Sequence, residues 1–298
     1  MTPTSALAGR RSGGVPPRRR PAGRLRPGRV LAIWLPVGLF LAFTLLPIYW
    51  LVVSSLKGPV ELFAFPISYW PERPTLANYV RALTETRLVQ LYLNSLIAAG
   101  GTCLALVALM IIGGYAMARF DFPGRSLVLA LFLAAQLLPP VVMLVPVFSM
   151  FAALGLLNTR GALVVIYVVT LLPFSVMTMR SFYAAIPVEL EEAAMIDGCT
   201  RLGALFRVLL PVALPGLVAT TIYGFINSWN ELLFAVMLVQ SPRLQTIPVG
   251  LMSMTDEART EYGMMLAIAV LALAPSLLLF GVIQRWLTAG LSAGAVKG

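Results

Sequence analysis

Charge in this chain is confined to clusters, and between the clusters run six uncharged stretches long enough to cross a bilayer. They are residues 30–56, 88–118, 126–159, 161–179, 208–230 and 262–284, together more than half of the 298 residues. A helix rises about 1.5 Å per residue, so about 20 residues cross a hydrocarbon core roughly 30 Å thick. Each stretch holds one span, and we expect an all-α integral membrane protein of six transmembrane helices. With 59% apolar and 11% charged residues, a water-soluble globular domain is excluded.

The third stretch is the longest, yet it leaves no room for the polar turn of a helical hairpin. We expect one span kinked at Pro139 and Pro140, whose freed carbonyls find partners within the bundle, with the surplus in an outer loop near residues 154–159. Six spans put both termini on one side, and that side carries 15 of the 22 Lys and Arg residues. The excess marks it as cytoplasmic.

Eight of those arginines precede the first span, interspersed with Pro and Gly. Residues 1–29 therefore read as a disordered cytoplasmic tail lying against anionic headgroups, not as a nucleic-acid site. A cleaved secretory signal is the alternative, but the 27 uncharged residues that follow carry no small-x-small cleavage site, which fits a retained anchor better.

The chain contains no histidine, and its two cysteines, Cys103 and Cys199, make no disulfide framework. His-based metal sites and Ser-His or Cys-His nucleophile systems are excluded. There is no phosphate loop ending in GK[ST], so any ATP that drives this protein is bound by another chain. Of the twelve acids, Glu231 is the one expected to approach the membrane, and the other eleven sit in loops or tails. That leaves neither the convergent acid–base pocket of a membrane enzyme nor the midplane charges usual in a self-sufficient secondary transporter.

The connection between the fourth and fifth stretches, residues 184–210, has its own local structure. Pro187 suits the first position of a helix, and Glu189, Glu191 and Glu192 follow where the positive end of the helix dipole favours carboxylates. Gly198 supplies the stop. At 100° per residue, Leu190, Ala193 and Ala194 share one face, with Val188, Glu192 and Met195 opposite. A second helix starts after Thr200. By periodicity alone, an ordinary amphipathic loop helix resting on its own bundle is an equal reading.

The run EEAAMIDG followed by CTRLGALFRVLLPVALPG closely resembles the EAA loop of permease subunits in binding-protein-dependent ABC importers. The resemblance implies that Glu192, Ala193, Ala194, Asp197 and Gly198 form a coupling helix that docks on a separate cytoplasmic ATPase. Leu210, Pro211 and Pro215 match the trailing segment. Further runs resemble the carbohydrate-uptake branch of the family, in particular its smaller maltose-type subunit. These are Asn94 and Ser95, YAMARFDFPG from Tyr115, LGLLNT from Leu154, SWNELLFA from Ser228, and the tail QRWLTAGLSAGAVKG from Gln284.

The resemblance covers roughly residues 30–298 and implies a permease domain there. Its implied partners are a dimer of ATPase subunits that bind ATP and Mg, a second permease chain in a heterodimer, an extracytoplasmic solute-binding protein and membrane lipid, with no nucleic acid. It also implies that Gly290, Gly294 and Lys297 reach the ATPase interface, against the plainer reading of a frayed terminus. The implied function is import of a sugar or oligosaccharide by alternating access across a bacterial inner membrane, with glycerol phosphate as the alternative cargo. Tyr223, Asn227, Trp229, Asn230 and Glu231 offer the hydrogen bonds and flat apolar faces a sugar needs. An interfacial aromatic anchor with a structurally paired acid is the preferred reading of Asn227, Trp229, Asn230 and Glu231, because their depth fits the interface better than the midplane.

Overall fold

A computed structural model describes residues 27–255 and 261–294. Among the described residues all regular structure is helical. The chain divides into two compact units, residues 1–49 and 50–298. The first holds most of α1 (Pro27–Ser55), whose span begins at Ala32. The expected tail lies outside the described residues up to position 26.

In the second unit, α2 (Pro59–Leu62) and α3 (Ala77–Glu85) precede α4 (Leu88–Arg119), the second long span. The third uncharged stretch forms α5 (Arg125–Leu137) and α6 (Pro140–Ala153). Spans α7 (Arg160–Ala184) and α10 (Leu210–Trp229) are joined by α8 (Val188–Ile196), α9 (Arg201–Ala204) and a π-helical turn, Leu205–Leu209. Two short helices, α11 (Leu233–Leu238) and α12 (Ile247–Ser253), lead to the last span, α13 (Tyr262–Gly294). Five helices are long and apolar enough to cross a membrane, and the bent pair α5–α6 makes the sixth crossing when taken as one span.

One expectation is corrected here. The Pro139–Pro140 pair does not kink a continuous helix; it separates two helices that meet at 107°. The reason is packing as well as proline. Val128, Leu129 and Phe132 of α5 pack against a core formed by Met110, Met179 and Tyr183. Val147 and Phe151 of α6 belong to a different core, with Ile166, Tyr167 and Phe234.

Spans α4 and α7 form the most extensive pairing. On α4 the buried positions Leu88, Leu91, Ser95, Ala98, Thr102, Leu106, Met110 and Gly114 recur every three or four residues, which is one helical face. Gly114 needs its hydrogen side chain, because a Cβ there would lie 2.7 Å from Met179 Cβ and 3.1 Å from the Arg180 backbone nitrogen.

The end of the molecule away from α8 is tied by polar groups. Asn94 donates to the carbonyls of Arg243 (3.0 Å) and Gln245 (2.9 Å), and Ser95 Oγ accepts from the Ile247 N–H at 2.9 Å. Asn158, at φ 57°, accepts from the N–H groups of Gln240 and Ser241. Lys57 is buried, donates to the Ser68 carbonyl and lies 4.7 Å from the centre of the Trp50 ring.

The close α4–α7 approach is testable. Gly114→Val should destabilise the detergent-solubilised protein by about 1–3 kcal/mol through overpacking, whereas Gly100→Ala, with nothing within 4 Å of the added Cβ, should not. Thermal unfolding of the two variants measures the contrast.

Candidate functional site

Helix α8 is built from its ends. Pro187 is the N-cap, so the helix starts at Val188, one position later than expected, and Glu189 and Glu191 fall in the first turn. At the other end Gly198 takes φ 90°, the left-handed conformation that costs other residues about 1–2 kcal/mol. Its N–H reaches the Met195 carbonyl at 3.1 Å, and that of Cys199 reaches the Ala194 carbonyl at 3.0 Å. This pair of bonds is a Schellman stop. Thr200 then caps α9 by accepting from the Gly203 N–H.

The side of α8 that turns inward coincides with neither of the two faces read from periodicity. Glu191 is 4% exposed and Ala194 is also buried, whereas Leu190, Glu192, Ala193 and Asp197 are exposed. The cause is a charge on another helix. Arg119, at the end of α4, donates from Nε to Glu191 Oε2 at 3.0 Å and from Nη2 to the Ile186 carbonyl at 2.8 Å. Tyr115, one turn earlier, donates its hydroxyl to Glu191 Oε1.

Such a buried pair is held in place because removing either partner strands the other charge. Helix α8 is thereby fixed to three spans. It continues from α7, leads into α10 through Leu205 and Leu209 in the same core as Ile186, and is pinned to α4 by Glu191. What remains outside is a surface of Glu192, Ala193 and Asp197 beside Ile196, which is 85% exposed.

The residues expected along a solute path do not converge. Tyr223, Asn227 and Asn230 lie on the exposed face of the α10 end. Trp229 is buried, donates its indole N–H to the Ala272 carbonyl at 3.0 Å and stacks on Phe225. Glu231 accepts from the N–H groups of Phe234 (2.8 Å) and Ala235 (3.1 Å), so its carboxylate caps α11. Those two side chains are committed within the chain. Gly290 and Gly294 fall in α13, and Lys297 lies outside the described residues.

Sequence reasoning missed Tyr115, Arg119 and Glu191 as a unit. The available signal was that Tyr115 and Arg119 open the YAMARFDFPG run, which had been noted only as a resemblance.

Several spans around a glycine-stopped elbow define a multi-pass membrane protein. A family model for the binding-protein-dependent transport system inner membrane component matches residues 110–293, and the chain belongs to that family. It is 38% identical to the sulfoquinovosyl glycerol transport system permease protein SmoH of Agrobacterium fabrum, over 85% of this chain and 89% of that one. It is 32% identical to the trehalose/maltose transport system permease protein MalG of Thermococcus litoralis, over 85% and 92%. A chain in the crystal structure of a bacterial ABC transporter involved in alginate import shares the fold, with a TM-score of 0.75 at 21% identity over 87% of this chain and 97% of that one. The family expected from the motifs is the family found.

The buried pair sets apart two adjacent carboxylates. Glu191→Ala should cost about 3–5 kcal/mol of stability, whereas Glu192→Ala should stay within about 0.5 kcal/mol. Replacing both partners, Glu191→Leu with Arg119→Met, should recover most of the loss. Thermal unfolding of the three variants decides, and equal effects at positions 191 and 192 would contradict the inward placement of Glu191.

Proposed function

We propose that this chain is one permease subunit of an ATP-driven importer for a sugar or oligosaccharide, working by alternating access. Sugar transport is carried over from the relatives, whose names specify a sulfoquinovosyl glycerol system and a trehalose/maltose system. The subunit itself catalyses nothing. ATP and Mg are held by a dimer of separate ATPase chains, a second permease chain completes the pathway, and an extracytoplasmic solute-binding protein delivers cargo.

The observation that carries this reading is the way α8 is mounted. A short helix gripped by three spans, with Glu192, Ala193 and Asp197 turned out, is suited to receive a push from outside and pass it into the bundle. Small side chains allow close approach, and the exposed carboxylates select a basic partner. On the charge argument this end faces the cytoplasm, together with both termini. Gly290, Gly294 and Lys297 then extend the ATPase contact, and the exposed face of Tyr223, Asn227 and Asn230 points to the solute route, with Trp229 and Glu231 supporting it from behind.

Glu192→Ala is expected to weaken the ATPase contact by about 1.4 kcal/mol, and so tenfold in affinity, lowering uptake while membrane insertion is unchanged. Gly198→Leu should uncouple more severely, since it strains the stop of α8. Transport and ATP hydrolysis by the reconstituted complex measure both. Normal coupled uptake in both variants, or liposome transport by this chain alone, would sink the assignment.

A further inference from the structure

The first turns of α4 and the start of α7 border a groove of about 440 Å³, within the range of about 300–1,000 Å³ typical of small-molecule sites. Its polar wall is Arg87, Gln90, Asn94 and Arg160, and its apolar wall includes Val89 and Leu93. On the charge argument this end of the molecule faces away from the cytoplasm. The outer side holds seven of the 22 Lys and Arg residues, and two of them meet here with no acid in the lining.

Both arginines have donors to spare. Among the described residues the Arg87 side chain makes no hydrogen bond or ion pair, and Arg160 gives only its Nε, to Asn94 Oδ1 at 3.1 Å. A guanidinium carries five N–H donors. Glu85, two positions before Arg87, is paired with Arg81 at 3.0 Å and so does not neutralise the groove. The start of α4 adds to the field. Thr86 Oγ1 accepts from the Leu88 N–H at 3.2 Å, but the cap residue, Arg87, supplies no side-chain acceptor to the rest of the turn. Those N–H groups, at the positive end of a 32-residue helix, favour an anion.

Depth and shape select the anion. The 32 residues of α4 rise about 48 Å, slightly more than the roughly 40–45 Å of a bilayer with its headgroups, so the first turns lie in the headgroup layer. Beyond the arginines, Val89, Leu93, Ile97 and Leu104 form an exposed apolar stripe that follows one face of α4 toward the bilayer centre. A soluble phosphate or an acidic protein surface has no use for that stripe, whereas an acyl chain does.

We propose that the groove binds one anionic phospholipid of the outer leaflet. Its phosphate lies between Arg87 and Arg160, each able to clasp two oxygens, and one acyl chain lies along Val89, Leu93 and Ile97. A zwitterionic lipid presents the same phosphate but adds a cation that the arginines repel. The proposal is independent of the importer reading, since it requires only that the chain spans a membrane.

For the test, the full chain, purified in a nonionic detergent, is titrated with dioleoyl phosphatidylglycerol and separately with dioleoyl phosphatidylcholine, and bound lipid is counted by native mass spectrometry. Phosphatidylglycerol should bind more tightly, at one copy per chain. Arg87→Gln and Arg160→Gln should each weaken it about fivefold, the worth of one arginine near an anionic surface, with phosphatidylcholine unchanged. Arg73→Gln removes an exposed charge from the same side, outside the groove, and should change neither affinity. Because the Arg87 side chain has no partner among the described residues, its variant tests the site even where Arg160→Gln unfolds.

Equal affinity for the two lipids would overturn the proposal. So would an equal loss from Arg73→Gln and Arg87→Gln, which would mean diffuse attraction. Displacement of the lipid by inorganic phosphate at matched ionic strength would assign the groove to a soluble anion instead. The same count is made on the complete importer purified from membranes. One anionic phospholipid retained per chain, and lost in Arg87→Gln, supports the site. Its absence would mean that another chain covers the groove and that the proposal is wrong.

Discussion

Lipid tails are as apolar as leucine, so helices in a bilayer associate by close packing and not by escape from water. The α4–α7 pair meets that constraint with small residues. Gly101, Gly113 and Gly114 bring α4 against Val164, Val176 and Met179 along the length of the contact. The remaining elements of the second unit are organised around this pair. The core at the α8 end takes its side chains mainly from α4 and α7, with α5 and α10 packed on it, whereas the other core joins α7 to α6 and α11 and takes only Ala98 from α4.

Both ends of α4 are gripped by side chains that face a connecting segment. At its start Asn94 and Ser95 hold the 243–247 segment, and at its finish Tyr115 and Arg119 hold α8. From Asn94 to Arg119 is about 38 Å of helix rise. A helix of that length, packed on a second one, is stiff, so α4 mechanically joins the elbow at one end to the loops at the other. Motifs that had signalled a family resemblance thus turn out to be the fastenings of one rod.

The spans were legible because charge is costly in lipid, and that cost is written directly into the sequence. The orientation of α8 was not. Glu191 and Glu192 are chemically identical neighbours about 100° apart, and Tyr115 and Arg119, more than 70 residues away in the chain, decide which of them turns in. Helical periodicity put Leu190, Ala193 and Ala194 on one face because it weighs apolarity, and it had no means to weigh an ion pair. The backbone role of Glu231 was equally hidden. Its proximity to the bilayer suggested solute chemistry, but the start of α11 leaves N–H groups that need an acceptor, and its carboxylate supplies one.

The same distinction explains the broken span. Two adjacent prolines guarantee missing hydrogen bonds, but they do not set an angle. The 107° bend follows from where each half finds its core. Helix α5 is packed with the core at the α8 end, and α6 with the core that includes α11. Packed cores shift as units and do not deform continuously. Any displacement of one core relative to the other therefore falls on residues 138–140, where Pro139 and Pro140 have no N–H to donate to the preceding helix.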